Sequence, residues 1–101
     1  MVRSELVNLL SERQPSLQRR DVELAVNCIL EQMVQTLEAG ERIEIRDFGS
    51  FEVRRRAPRK ARNPKTGEVL IAPAKSAVHF KPGKGMKDRI NAGRGHYKIK
   101  D

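Results

Sequence analysis

Twelve consecutive residues from Arg54 to Lys65 hold seven cations (Arg54, Arg55, Arg56, Arg59, Lys60, Arg62 and Lys65) and no acid. No apolar core accepts such a block, because a charge taken out of water without a partner is strongly destabilising. The segment must stand away from the body of the fold, and its flanks decide how. Upstream, Arg42-Ile43-Glu44-Ile45-Arg46 alternates strictly, which predicts a strand with two isoleucines on one face and three charged residues on the other. Asp47-Phe48-Gly49 turns the chain, and residues 50–56 read as a second strand with Phe51 and Val53 inward. Downstream of Asn63-Pro64-Lys65-Thr66-Gly67, the run Val69-Leu70-Ile71 predicts a returning strand. The cationic block, the turn and the return therefore make a protruding β-ribbon over about residues 55–76, and Val78 and Phe80 re-enter the body as a third strand.

Helical periodicity fills most of the rest. Leu6, Leu9 and Leu10 predict a short amphipathic helix over residues 3–13, broken by Gln14-Pro15-Ser16. Val22, Ala25, Val26, Ile29, Met33 and Leu37 recur near every 3.6 residues and predict a long helix over residues 18–39, with Gly40 as its stop. Lys81-Pro82-Gly83 leads into a short C-terminal helix over residues 83–91. The expected class is α+β: two N-terminal helices, a three-stranded antiparallel sheet carrying the long arm, and a short C-terminal helix. Residues 1–91 form one domain, and residues 92–101 read as a basic, flexible tail.

Such a chain has little to bury. It is 101 residues long, 38% hydrophobic and 4% aromatic, so the body needs a second subunit once the arm is set aside. Cys28, the single cysteine, falls in the long helix and reads as a small buried hydrophobe. Glu5 and Asn8 interrupt the apolar residues at the N-terminus and no run has membrane-spanning length, so a cytosolic protein without a membrane role is expected.

Charge divides sharply along the sequence. Residues 1–47 hold 6 Lys/Arg and 9 Asp/Glu, net −3, which leaves 15 and 4, net +11, for residues 48–101. A polyanion facing the later segments is implied, with nucleic acid foremost. Catalysis has no such support. Asp47-Phe48-Gly49 matches a kinase metal-loop tripeptide, but no glycine-rich phosphate loop or catalytic loop accompanies it. Asp21, Glu23, Glu31 and Glu38 take solvent positions on a helix, and His79, His96 and Cys28 lack zinc spacing. No cofactor or metal is expected. His79 points away from Val78 and Phe80, toward the face where phosphate would lie.

Seven mutually repelling cations on a slim ribbon call for a compensating anion, and duplex DNA offers closely spaced phosphates and grooves that admit two strands. Pro64 at the tip serves an ordinary turn, since it fixes φ and lacks an N–H. Held in the minor groove, its rigid ring is also placed to enter between base pairs and kink the duplex.

These residues carry a resemblance. GERIEIRDFGSF (40–51), RAPRKARNPKTGE (56–68) and VHFKPGKGMKDR (78–89), in that order behind two helices, resemble the HU/integration host factor family of bacterial histone-like, DNA-bending proteins over about residues 2–91. The resemblance implies an intertwined dimer whose two arms wrap DNA through the minor groove, each tipped by an intercalating proline. Carried onto this sequence, Pro64 is the wedge within the tip Arg62, Asn63, Pro64, Lys65, Thr66 and Gly67. Arg59 and Lys60 line the arm, while Lys81, Lys84 and Lys87 neutralise phosphates near the last helix. Arg42, Glu44 and Arg46 share the outward strand face, where Arg46 oriented by Glu44 is the candidate reader of a narrow groove, against a plain surface ion pair. Arg3, Arg54, Arg56 and Lys75 complete the DNA-facing set. Phe48, Phe51 and Phe80, with Ile29 and Met33, are assigned to the dimer core.

Two positions depart from the family pattern: Asp47 replaces a usual glycine at the first hairpin, and Gly85 stands where a helix former is common. The strand RIEIR and the HFKPGK segment are similar to the beta type, which implies a heterodimer with an alpha-type subunit of integration host factor. An HU-like homodimer with little sequence preference is the alternative. A basic RNA-binding protein ranks below both, because A-form RNA suits a wedge-tipped ribbon poorly. A module gripping an acidic protein partner comes last, since no exposed apolar anchor is evident in the sequence.

Overall fold

A computed structural model describes residues 1–97 of the chain. Helix α1 spans Arg3–Arg13 and α2 spans Arg19–Glu38, close to the ranges that periodicity predicts. The end of α2 shows why the helix stops there. Gly40 donates its N–H to Leu37 and Glu41 donates to Thr36, the paired bonds of a Schellman cap, with Gly40 at φ 79°. Val7 of α1 meets Val22 and Val26 of α2, and Leu6, Leu10 and Leu30 pack around them. Among the described residues these three valines are the whole buried hydrophobic core.

The strands follow as β1 (Ile43–Ile45), β2 (Gly49–Arg56), β3 (Arg59–Arg62), β4 (Val69–Ala72) and β5 (Lys75–Pro82), and helix α3 spans Lys84–Gly93. β1, β2 and β5 form an antiparallel sheet in that order; β3 and β4 form a separate two-stranded ribbon. α3 runs two residues beyond the predicted end at 91, and residues 98–101 of the predicted tail lie outside the described residues.

A single register links sheet and ribbon. Gly49 faces Pro82, Arg56 faces Lys75, Arg59 faces Ala72 and Arg62 faces Val69, so equal lengths of chain separate every rung. The pairing lapses only where Ala57-Pro58 stands against Pro73-Ala74. That count puts Pro58 directly opposite Pro73, and neither has an N–H to give a ladder. The ribbon is thus a continuation of β2 and β5 beyond a seam. It extends the chain to 60 × 37 × 28 Å with a radius of gyration of 19.4 Å, where a compact chain of this length would have about 13 Å.

One expectation from the sequence is reversed. Cys28 is exposed, because α2 turns only its Val22–Val26 stripe to α1. The sheet's inward face is open as well: Ile45, Phe48, Val78 and Phe80 are 40%, 44%, 58% and 36% exposed.

Candidate nucleic-acid interface

Two surfaces gather the cations: the outward face of the β1–β2–β5 sheet, and the arm. On the sheet, Ser50 faces Lys81, Glu52 faces His79, Arg54 faces Ala77 and Arg56 faces Lys75 across β2 and β5. Strand alternation turns all of these to the side opposite Phe51 and Phe80. Glu44 of β1 and Arg42 just before that strand join them. Glu44 holds Arg42 at 2.8 Å, and Glu52 accepts from Arg54 Nε at 2.8 Å with Arg42 3.9 Å away. The hydrogen bond from Arg54 holds the Glu52 carboxyl below its ordinary value; desolvation, the next largest effect, opposes it, and attraction from Arg54, Arg42 and His79 adds to the lowering.

The predicted pairing of Glu44 with Arg46 is not what the structure has. Arg46 lies past the end of β1, in the turn to β2, while Glu44 reaches back along its own strand to Arg42. Arg46 instead lines a groove of about 620 Å³ with Arg42, Lys81, Lys84 and Lys87, to which Glu44 brings the single acid. The N-terminus of α3 opens on the same groove, so the positive end of its dipole adds to these charges. Gly83 N–H donates to Phe48 O and Met86 N–H to Asp47 O, which fixes α3 to the β1–β2 turn. Lys84 is paired with Asp88 at 2.7 Å.

The arm carries its cations almost free of acids. Its register sorts them by face: Lys60 and Arg62 share one side with Val69 and Ile71, and Arg59 and Ala61 share the other with Leu70 and Ala72. Arg59 and Lys60, which the sequence put together along the arm, therefore point in opposite directions. At the tip, Asn63 Oδ1 accepts the Lys65 N–H at 2.9 Å, Asn63 N–H donates to Glu68 O at 2.8 Å, and Gly67 N–H donates to Asn63 O at 2.8 Å. Thr66 Oγ1 takes the Glu68 N–H, and Gly67 closes the loop at φ 75°, in the left-handed region. Asn63 thus cross-braces both sides of a loop whose leading residue, Pro64, is exposed.

Arg3 belongs to neither surface. Its guanidinium donates to Asn27 Oδ1 on α2, within the helical layer. Conversely, Glu52 was not foreseen among the site residues, although the alternation that selected Arg42, Glu44 and Arg46 also selects Ser50, Glu52 and Arg54 on the next strand.

The aromatic residues assigned to a dimer core do meet. Phe51 and Phe80 ring centroids are 4.7 Å apart and Phe48 lies 5.7 Å from Phe80, both tilted. Their outer side is uncovered, and Ile29 on α2 is 61% exposed while Met33 is half-buried. Among the described residues no His, Cys, Asp or Glu cluster could hold a metal ion, and no helix is long and apolar enough to cross a membrane.

Comparison with known proteins agrees with this geometry. The family described as bacterial DNA-binding protein matches residues 1–91. Integration host factor subunit beta of Alkalilimnicola ehrlichii is 56% identical over 94 residues, covering 93% of this chain and 94% of its own. The same subunit of Saccharophagus degradans is 57% identical over 91 residues, covering 90% and 93%. In structure, the chain resembles HU in an Anabaena HU–DNA cocrystal, with a TM-score of 0.80, 31% identity, and 89% and 97% of the two chains covered. HU from Thermotoga maritima superposes with a TM-score of 0.59 at 27% identity, over 89% and 98%.

Proposed function

This chain belongs to the bacterial DNA-binding protein family, the family of HU and integration host factor, and from that premise we propose how it handles DNA. It is a non-enzymatic architectural protein that binds duplex DNA through the minor groove and bends it. The arm enters the groove, Pro64 unstacks one base step, and the duplex then folds back against the sheet-face and α3 cations. Unstacking costs roughly a few kcal/mol per step, and the phosphate contacts that the bend brings into reach offset it. The observation that carries the reading is a slender cationic ribbon, projecting from the body, whose exposed proline is braced from both sides by Asn63.

The functional unit is a dimer, in which Phe48, Phe51, Phe80, Ile29 and Met33 bury against a second subunit. Residues 1–91 are the DNA-binding domain, and the DNA-facing residues are those of the arm and of the Arg42–Lys87 face. Likeness to beta subunits points to an alpha-type subunit of integration host factor as the partner. The bent complex acts in nucleoid organisation, recombination, replication and transcription regulation, on the bacterial nucleoid.

Energy transfer between the two ends of a short duplex tests the bend: adding the dimer should bring the ends together, and an unchanged end-to-end distance would refute it. Duplex RNA as competitor should be the weaker ligand. Native mass spectrometry of the chain mixed with an alpha-type subunit should find the heterodimer, whereas a homodimer that ignores that subunit would favour the HU-like alternative.

A further inference from the structure

From Arg54 to Ile71 every residue is exposed except Asn63, which is half-buried at the tip of the arm. Three hydrogen bonds tie it into the loop. Its N–H donates to Glu68 O at 2.8 Å, its carbonyl accepts from Gly67 N–H at 2.8 Å, and its Oδ1 accepts the Lys65 N–H at 2.9 Å. The first two close the end of the ribbon, since Asn63 and Glu68 continue the Arg62–Val69 register by one rung. The third is different, because it crosses Pro64 from the residue before it to the residue after it. Pro64 has no N–H, and its apolar ring offers nothing to hold it by. Where that ring points is therefore inherited from its two neighbours, and the Asn63 amide ties those neighbours together.

We infer that Asn63 is the positioning residue for the wedge: its Oδ1 holds the Pro64 ring in the attitude that enters a base step, while the surrounding cations supply the affinity. The inference rests on the wedge reading above. A loop without this brace has to be ordered as it inserts, and that ordering entropy is drawn from the same contacts that offset the unstacking. Fold stability has little at stake. Lys65 is exposed, so its N–H turns to water once Oδ1 is removed, and the tip lies outside the Val7–Val22–Val26 core. Asn63 therefore acts on the bend, through Pro64, and leaves the body and the charge of the arm as they are.

Two variants of the full chain, with the alpha-type subunit present, separate bending from binding. The readouts are energy transfer between the ends of a short duplex at saturating protein and low-salt affinity for the same duplex. Asn63→Ala removes the acceptor: affinity should stay within about twofold of the parent, and the bend should fall nearly as far as in Pro64→Ala. Asn63→Asp keeps an Oδ acceptor and adds a negative charge beside phosphate: affinity should fall about fivefold, and the bend at saturation should match the parent. Asn63→Ala combined with Pro64→Ala should bend no less than Pro64→Ala alone, because the amide works through the ring. Helical circular dichroism should be the same throughout. Asn63→Ala that bends the duplex like the parent while Pro64→Ala does not, or Asn63→Asp that bends as poorly as Asn63→Ala, would overturn the positioning role and leave the wedge standing. Pro64→Ala that bends like the parent would remove the wedge and this inference with it.

Discussion

Asp47 and Gly85 occupy one space: a side chain at position 85 would come within 2.9 Å of Asp47 Cβ and 3.0 Å of its carbonyl oxygen. Asp47 sits at φ 65°, a left-handed conformation that Asp tolerates better than most residues. Its carbonyl accepts from Met86, one residue past Gly85. The two positions are thus one arrangement: the turn carries the β-carbon for which α3, lacking one at Gly85, leaves room.

Gly85→Ala should therefore destabilise the protein, by about 1–3 kcal/mol, despite the better helix propensity of alanine. In an Asp47→Gly background the same change should cost less, because the clashing β-carbon is gone. Thermal unfolding of the four proteins of this cycle checks it; strictly additive effects would show that the two positions are independent.

Pro64→Ala should leave low-salt affinity for duplex DNA largely intact while reducing the bend read by end-to-end energy transfer. Phosphate neutralisation supplies most of the attraction and does not depend on the ring. A bend that survives the substitution would remove the wedge.

The two faces of the arm should behave differently. Lys60 and Arg62 share the side bearing Val69 and Ile71, so their double alanine variant should lower the slope of log affinity against log salt by roughly 0.9 for each phosphate no longer neutralised, about 1.8 in all. Arg59→Ala, on the reverse side, should change it by less than half of that. Equal effects per cation would mean that both faces touch the backbone.

Glu52 holds Arg54 at 2.8 Å, while Arg42 is held mainly by Glu44. Glu52→Gln should raise affinity and steepen the salt slope at neutral pH, as Arg54 becomes free to meet phosphate. The carboxyl is held below its ordinary value, so the ion pair contributes to folding above the unfolded carboxylate range. That contribution is lost as pH falls through the lowered folded value. The difference between parent and variant in both DNA affinity and melting temperature should accordingly vanish in acid.

The helices, the strands and the arm were legible in the sequence because each rests on a local pattern: the Val22–Val26 stripe, the Ile43–Ile45 alternation, and a cationic run that no core admits. The tip was legible because Asn63, Pro64 and Gly67 each have a turn chemistry of their own. Partner choice was not. Glu44 had Arg42 and Arg46 at equal sequence distance, and only the end of β1 before Arg46 decides between them. The exposure of Cys28 was hidden for a related reason: periodicity marks an apolar stripe on α2 without saying whether the same chain covers it.

Facing prolines at positions 58 and 73 make the root of the finger a place where flexure sacrifices no donor from either ring. Body and finger are then joined by two covalent strands and no ladder between them at that level, so that a substitution of either proline by a residue with an N–H could close the seam.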